Sequence, residues 1–181
     1  METTIVLVRH GETDWNLEGR VQGHTDRPLN ATGLAQAREL AAALAEEPLD
    51  AIYASDLSRA FETARILAQP HELDVVAAPG LREKHFGTWE GLTGDEVLER
   101  YPRAAGGSWG DAETSAELGE RVRATLTEIA ARHEGRRVLV VSHGGPMRAA
   151  LRWCAGQWSG PIPNCCAFRS ALRDGRPELL L

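Results

Sequence analysis

Residues 4–8 form an unbroken β-rich apolar run stopped by Arg9, the pattern of a strand buried on both faces. Leu34, Ala37, Leu40, Ala41 and Leu44 then share one helical stripe over residues 31–46, closed by Pro48. Residues 49–54 read as a second strand. Leu57, Ala60, Phe61, Ala64 and Leu67 give a second helical stripe, ended by Pro70, and residues 73–77 a third short strand. Residues 102–115, with Gly106, Gly107 and Gly110 around Trp109, read as a loop of a length that is often functional. Leu118, Val122, Ile129 and His133 line one face of a long helix that Gly135 ends. Residues 138–141 are the strongest strand pattern in the chain. Gly144-Gly145-Pro146 opens another helix with Met147, Leu151 and Cys154 inward, and two short strands follow near residues 165–172 and 178–181.

This alternation predicts an α/β fold, three layers with a mostly parallel central sheet and helices on both faces. In such sheets ligands bind at the carboxyl ends of the strands. No stretch reads as a linker, so residues 1–181 are expected to form one domain, with a cap-like insertion over about 84–114.

Composition narrows the partners. The chain has 181 residues, 20 Lys and Arg against 26 Asp and Glu, and a formal net charge of −6. Nucleic acid is therefore not an expected partner, because that affinity depends on clustered cations. Residues 5–8 are far short of the roughly 20 that cross a bilayer, and they follow Glu2 rather than a basic segment, so neither a membrane span nor a secretory leader is expected. Cys154, Cys165 and Cys166 read as free thiols of a cytoplasmic protein. His71 and His133, at helix ends, read as solvated. Trp153 and Trp158 read as core or interface, and Trp15 and Trp89 as walls of a site.

Two strands end alike, the first in Arg9-His10-Gly11 and the strongest in Ser142-His143-Gly144-Gly145. A parallel sheet would bring both histidines to its carboxyl edge. The glycines allow close backbone approach, and the helix opened by Pro146 would aim its N-terminus at the same place, where anions bind. Arg9, directly after a buried run, needs an anionic partner.

Val8-Arg9-His10-Gly11-Glu12-Thr13-Asp14-Trp15-Asn16 resembles the signature of the histidine phosphatase superfamily, with its phosphoglycerate-mutase-like fold. The resemblance continues in family order through Gly19-Arg20-Val21-Gln22-Gly23, Asp26-Arg27-Pro28-Leu29, Gly33 with Gln36-Ala37, and Ser55-Asp56-Leu57-Ser58-Arg59-Ala60 with Thr63-Ala64. It resumes at Leu81-Arg82-Glu83 and Phe86-Gly87-Thr88-Trp89-Glu90-Gly91, and ends at Val141-Ser142-His143-Gly144-Gly145. The family implies His10 as nucleophile and Arg9, Arg59 and His143 as a phosphoryl clamp. Asn16, Gln22 and the Gly23 or Gly144 backbone would add donors. Glu83 would be the general acid and then the base that activates water. Glu12 and Glu90 fall in the same blocks as structural residues. No cofactor and no metal is implied.

The expected reaction is hydrolysis of a small-molecule phosphomonoester through phosphohistidine by a monomer or homodimer. Phosphoglycerate mutase-type transfer is the alternative reaction, and a non-catalytic phospho-ligand-binding regulatory domain the alternative class. A mutase must exclude water, whereas the stretch between Glu83 and His143 is short, and Arg136-Arg137 sits at the wrong end of its strand to face the site. Trp109 is the candidate for shaping substrate choice. Residues 84–114 carry Lys84, Arg100 and Arg103 against Glu90, Asp95, Glu96, Glu99, Asp111 and Glu113, which favours a substrate that is neutral apart from one phosphate.

Overall fold

The computed structural model describes residues 2–102, 112–173 and 176–180. A six-stranded sheet runs in the order β3 (Val75–Ala77), β2 (Ala51–Ala54), β4 (Arg137–Ser142), β1 (Thr3–Arg9), β5 (Ala167–Arg173), β6 (Arg176–Leu180). The first four strands are mutually parallel, while β5 pairs antiparallel with β1 and β6 antiparallel with β5, so the sheet is mostly parallel with antiparallel pairing at one edge. Strand boundaries fall a few residues inside the expected ones at β2 and β3.

The continuous apolar runs are explained by burial on both faces. Ile5, Leu7, Val138 and Val140 face one cluster, filled by Leu118, Val122 and Leu126 of α5 (Ser115–Arg132) and by Met147 and Leu151 of α6 (Gly144–Ala155). Val6, Val8, Leu139 and Val141 face the other, filled by Ala37 and Ala41 of α2 (Ala31–Leu44) and by Ala60, Ala64 and Leu67 of α3 (Ser58–Ala68). The alanines let α2 and α3 approach the sheet closely. Side-chain caps mark the helix starts: Asn30 accepts from the Gly33 N–H, and Thr114 forms a reciprocal capping box with Glu117.

Two short helices complete the elements, α1 (Asp14–Leu17) and α4 (Gly94–Arg100), each begun by a threonine capping box. An isolated antiparallel bridge from Arg20 to Thr93 ties the segment after α1 to the start of α4.

The expectation that His71 and His133 are solvated needs correction. His133 is half-buried, and its Nε2 lies 3.0 Å from the Tyr53 hydroxyl, so α5 ends in a polar contact with β2. His71 is also half-buried, in a 3₁₀ turn. The three thiols are free and half-buried. Burial pushes Cys165 up to about 12, which leaves it inert as a nucleophile at neutral pH. Trp153 and Trp158 pack on the α5/α6 cluster. No helix among the described residues is long and apolar enough to cross a membrane.

Candidate active site

Strand register assembles the site. Arg9 of β1 pairs with Ser142 of β4, so His10 and His143 leave the sheet side by side, with ring centroids 5.0 Å apart. The His10 N–H donates to the Ser142 carbonyl at 3.0 Å, which fixes this step. On the far side of β4, the Ser55 N–H donates to the Val141 carbonyl, placing Ser55 at the same edge as β2 ends.

His10 is 2% exposed and its Nδ1 lies 2.6 Å from the Gly11 carbonyl. A carbonyl only accepts, so Nδ1 carries the proton and Nε2 keeps its lone pair. The His10 carbonyl accepts from Asn164 Nδ2 (3.0 Å) and from the Cys165 N–H (3.3 Å). Asn164 gave no signal in the sequence, because only the chain's return to β5 brings it beside β1.

Three cationic or polar side chains stand around His10 with a donor left over. Arg59, on the first turn of α3, is fully buried; its two terminal nitrogens donate to Thr25 O (3.0 Å) and Gly23 O (2.8 Å), and Nε makes no bond among the described residues. Arg9 donates to the Ile162 carbonyl and also leaves a buried Nε unpartnered. His143 places Nε2 2.8 Å from Ser55 Oγ and leaves a buried Nδ1 unpartnered. Leaving such donors unpaired is costly, so the arrangement points to an anion with several acceptor oxygens.

Burial, followed by the charge of Arg59, holds the pKa of both histidines well below the ordinary histidine range; Arg9 acts in the same sense on each. Both rings are therefore neutral at neutral pH. Burial also lowers both guanidinium pKa values, with Glu83 the largest opposing influence on each. Arginines remain cations throughout this range.

Glu83 meets the first turn of α6. Its Oε1 accepts from the Gly145 N–H (3.0 Å) and the Lys84 N–H (2.8 Å). A Cβ on Gly145 would stand 2.1 Å from that oxygen, so the glycine is what admits the carboxylate. Flanking contacts hold the segment. Arg82 pairs through both ends of its fork with Asp56, and Arg121 donates to the carbonyls of Gly80, Arg82 and Glu83 while its fork grips Glu113. Arg121 lay on the polar face of its helix pattern and attracted no role from sequence.

The remaining expected residues divide. Gly23, at φ +53°, supplies a carbonyl to Arg59. Its N–H makes no bond within the described residues. Asn16 Oδ1 accepts from Thr13 and Asn164, and Gln22 Oε1 from Thr13 Oγ1, bonds that orient both amides through their oxygens alone. Glu12 is held by Asn30 and Gln36. Glu90 accepts from the Thr25 hydroxyl and from the N–H groups of His24, Thr25 and Phe86, clamping the loop that carries Gly23. Burial works against ionisation of Glu90, yet these bonds outweigh it and hold its pKa below the usual range. Gly144 opens α6 beside Arg9, and Trp109 lies outside the described residues. Among the described residues no three His, Cys, Asp or Glu side chains group as a metal site would need.

A family model described as histidine phosphatase superfamily (branch 1) matches residues 5–181. The chain is 39% identical to a metal-independent phosphoserine phosphatase of Arabidopsis thaliana, over 95% of this chain and 77% of that protein. It is 42% identical to a probable phosphoglycerate mutase GpmB of an Enterobacter species, over 77% and 69% of the respective chains. Among solved structures, YhfR of Bacillus stearothermophilus superposes with a TM-score of 0.93 at 32% identity, covering 99% of this chain and 96% of that one.

Proposed function

The chain belongs to the histidine phosphatase superfamily, and from that premise we propose that it hydrolyses a small-molecule phosphomonoester through a covalent intermediate on His10. One observation carries the assignment of roles: the bare Nε2 of a neutral His10 stands among three buried donors, Arg9 Nε, Arg59 Nε and His143 Nδ1, that nothing among the described residues satisfies. Three donors match the three non-bridging oxygens of a phosphoryl group.

In the first step His10 Nε2 attacks phosphorus, the bond to the ester oxygen breaks, and the departing alkoxide takes a proton from Glu83. In the second, Glu83 takes a proton from water as the resulting hydroxide oxygen attacks phosphohistidine, releasing inorganic phosphate and restoring His10. Little covalent work falls to the rest of the site, which positions the group and meets its charge. Ser55 Oγ accepts from the Leu57 N–H and can donate to His143 Nε2, which leaves a proton on His143 Nδ1 for a phosphoryl oxygen. The Gly23 N–H is a further donor. Arg59 is tied to Thr25 and Gly23 by backbone carbonyls, so the loop and the cation move together.

The test is a trapped intermediate. Brief incubation with a radioactive phosphomonoester and an acid-free quench should leave one label per chain on a histidine, and His10→Ala should lose the label together with at least about 10³-fold of kcat/KM. A wild-type protein that turns over without ever becoming labelled would refute the covalent route. Assay of 3-phosphoglycerate with its bisphosphate separates the reactions: release of inorganic phosphate should dominate, and predominant isomerisation would reverse the assignment to a mutase.

A further inference from the structure

Glu90 has no part in these two steps, yet its half-buried carboxylate is filled to capacity beside them. Oε1 accepts from the His24 N–H (2.9 Å) and the Phe86 N–H (3.0 Å), and Oε2 from the Thr25 N–H (2.8 Å) and the Thr25 hydroxyl (2.6 Å). These donors occupy the roughly four acceptor positions that a carboxylate offers. No position is left for a reacting proton or an attacking water, so Glu90 acts neither as acid nor as base. Backbone pairing delivers it to this place. The Gly91 N–H donates to the Val21 carbonyl (2.8 Å) and the Val21 N–H to the Leu92 carbonyl (2.9 Å), which lays residue 90 against residues 23–25. The fit is close, since a Cβ on Gly23 would collide with Oε1.

The same three residues carry part of the phosphoryl machinery. The carbonyls of Gly23 and Thr25 accept from both terminal nitrogens of Arg59, and the Gly23 N–H makes no bond among the described residues. A further tie crosses to the acid, where His24 Nε2 donates to the Glu83 carbonyl at 2.9 Å. Residues 23–25 thus stand between the cation that meets the phosphoryl group and the segment that bears the general acid. Of their N–H groups Glu90 takes those of His24 and Thr25 and leaves that of Gly23 for a ligand. Its charge also favours the Arg59 cation, after Glu83 and Asp26.

We propose that Glu90 is a positioning residue for phosphoryl transfer: by holding residues 23–25 it sets the place of the Arg59 guanidinium and of the Gly23 N–H, so that its loss weakens the grip on the phosphoryl group of any ester. This rests on the phosphatase reading of the same site. A clamp that served the fold alone would move the unfolding midpoint and leave phosphoryl binding as it was.

Glu90→Gln keeps the shape but sets an amide NH2 against main-chain N–H groups at one of the two oxygens, so part of the clamp opens. kcat/KM should fall about 30-fold, by the same factor for p-nitrophenyl phosphate and for an alkyl phosphate, because the phosphoryl group is common to both. Orthovanadate, which takes up the five-coordinate shape of the transition state, should bind at least about fivefold more weakly. Coupling separates positioning from stability: in an Arg59→Lys protein the Glu90→Gln change should cost less than about threefold, because the contacts it serves are already lost. An equal cost in both backgrounds, a loss confined to the alkyl ester, or an unaltered vanadate affinity overturns the proposal. Should Glu90→Gln fail to fold, Thr25→Val takes its place, since it removes only the hydroxyl donor. A loss of about threefold shared by both esters and by vanadate then supports the proposal, and wild-type values reject it. If the wild type hydrolyses no ester, p-nitrophenyl phosphate included, the phosphatase reading fails. Vanadate titrated calorimetrically into the wild type and Glu90→Gln then decides the role of Glu90, weaker binding in the variant supporting it and equal binding rejecting it.

Discussion

The Gly11 carbonyl decides which nitrogen of His10 is free, since it accepts a hydrogen bond from Nδ1–H and leaves the lone pair on Nε2. Glycine acts with equal force at residue 145, where the missing side chain is the space that Glu83 occupies. Gly145→Ala should therefore push the carboxylate away from the leaving group. A displaced general acid costs most where the leaving group needs its proton. We expect kcat/KM for an alkyl phosphate to fall roughly 10²-fold, with a smaller loss for p-nitrophenyl phosphate, whose leaving group departs unprotonated. Matching losses on the two esters would show that Gly145 serves the fold and not the acid. At Arg59 the fork itself matters, because two of its arms hold the Gly23 loop while Nε stays free. Arg59→Lys keeps a charge but cannot make all three contacts, and about 10²-fold loss of kcat/KM is expected in steady-state assays.

Among the elements, α5 has the least obvious part in catalysis. Its apolar stripe packs on the sheet as its periodicity requires, while Arg121 on the same helix reaches the segment ahead of α4 and holds the main chain on both sides of Glu83. Arg121 touches the backbone of Glu83, which in the proposed mechanism makes it a positioning residue. Arg121→Met should lower the ratio of alkyl to aryl phosphate kcat/KM about tenfold, and Arg121→Lys should restore part of it. A purely structural role would depress both esters alike and leave the ratio unmoved. The helix was legible from spacing alone. Its role was not, because Arg121 sits among other charged residues on a polar face and only packing shows which of them turns inward.

For the whole molecule, a net charge of −6 coexists with the buried guanidinium nitrogens of Arg9 and Arg59 beside the two histidines. A local positive focus of this kind draws in a small anion even when the total charge is negative. The same burial that keeps His10 and His143 neutral has a cost in acid. Below about pH 6.5 the unfolded histidines bind protons, whereas the folded ones stay neutral until the pH is well below that. The unfolded state then holds more protons, so stability falls as the pH drops through this window and is flat with respect to these groups above it. Each histidine adds a slope of up to about 1.4 kcal/mol per pH unit. Urea unfolding of the wild type and of a His10→Gln/His143→Gln protein at about pH 5 and 7 should show a steeper loss for the wild type; parallel curves would mean that the rings titrate normally.

Periodicity and motif order alone determined the strands, the main helices and the sheet layers, because burial on two faces leaves an unbroken apolar run and burial on one face leaves a stripe. The family resemblance nominated Arg9, His10, Arg59, Glu83 and His143 as site residues, Glu83 with no local signal of its own. What only the tertiary structure decided is who meets whom. Asn164 returns to the His10 carbonyl from far along the chain, the oxygens of Asn16 and Gln22 are drawn into local hydrogen bonds, and Glu90, Glu96 and Glu113 are held by partners. Arg121 likewise reads as one more charge on a polar helix face, and only packing, which composition does not record, turns it onto the backbone of Glu83.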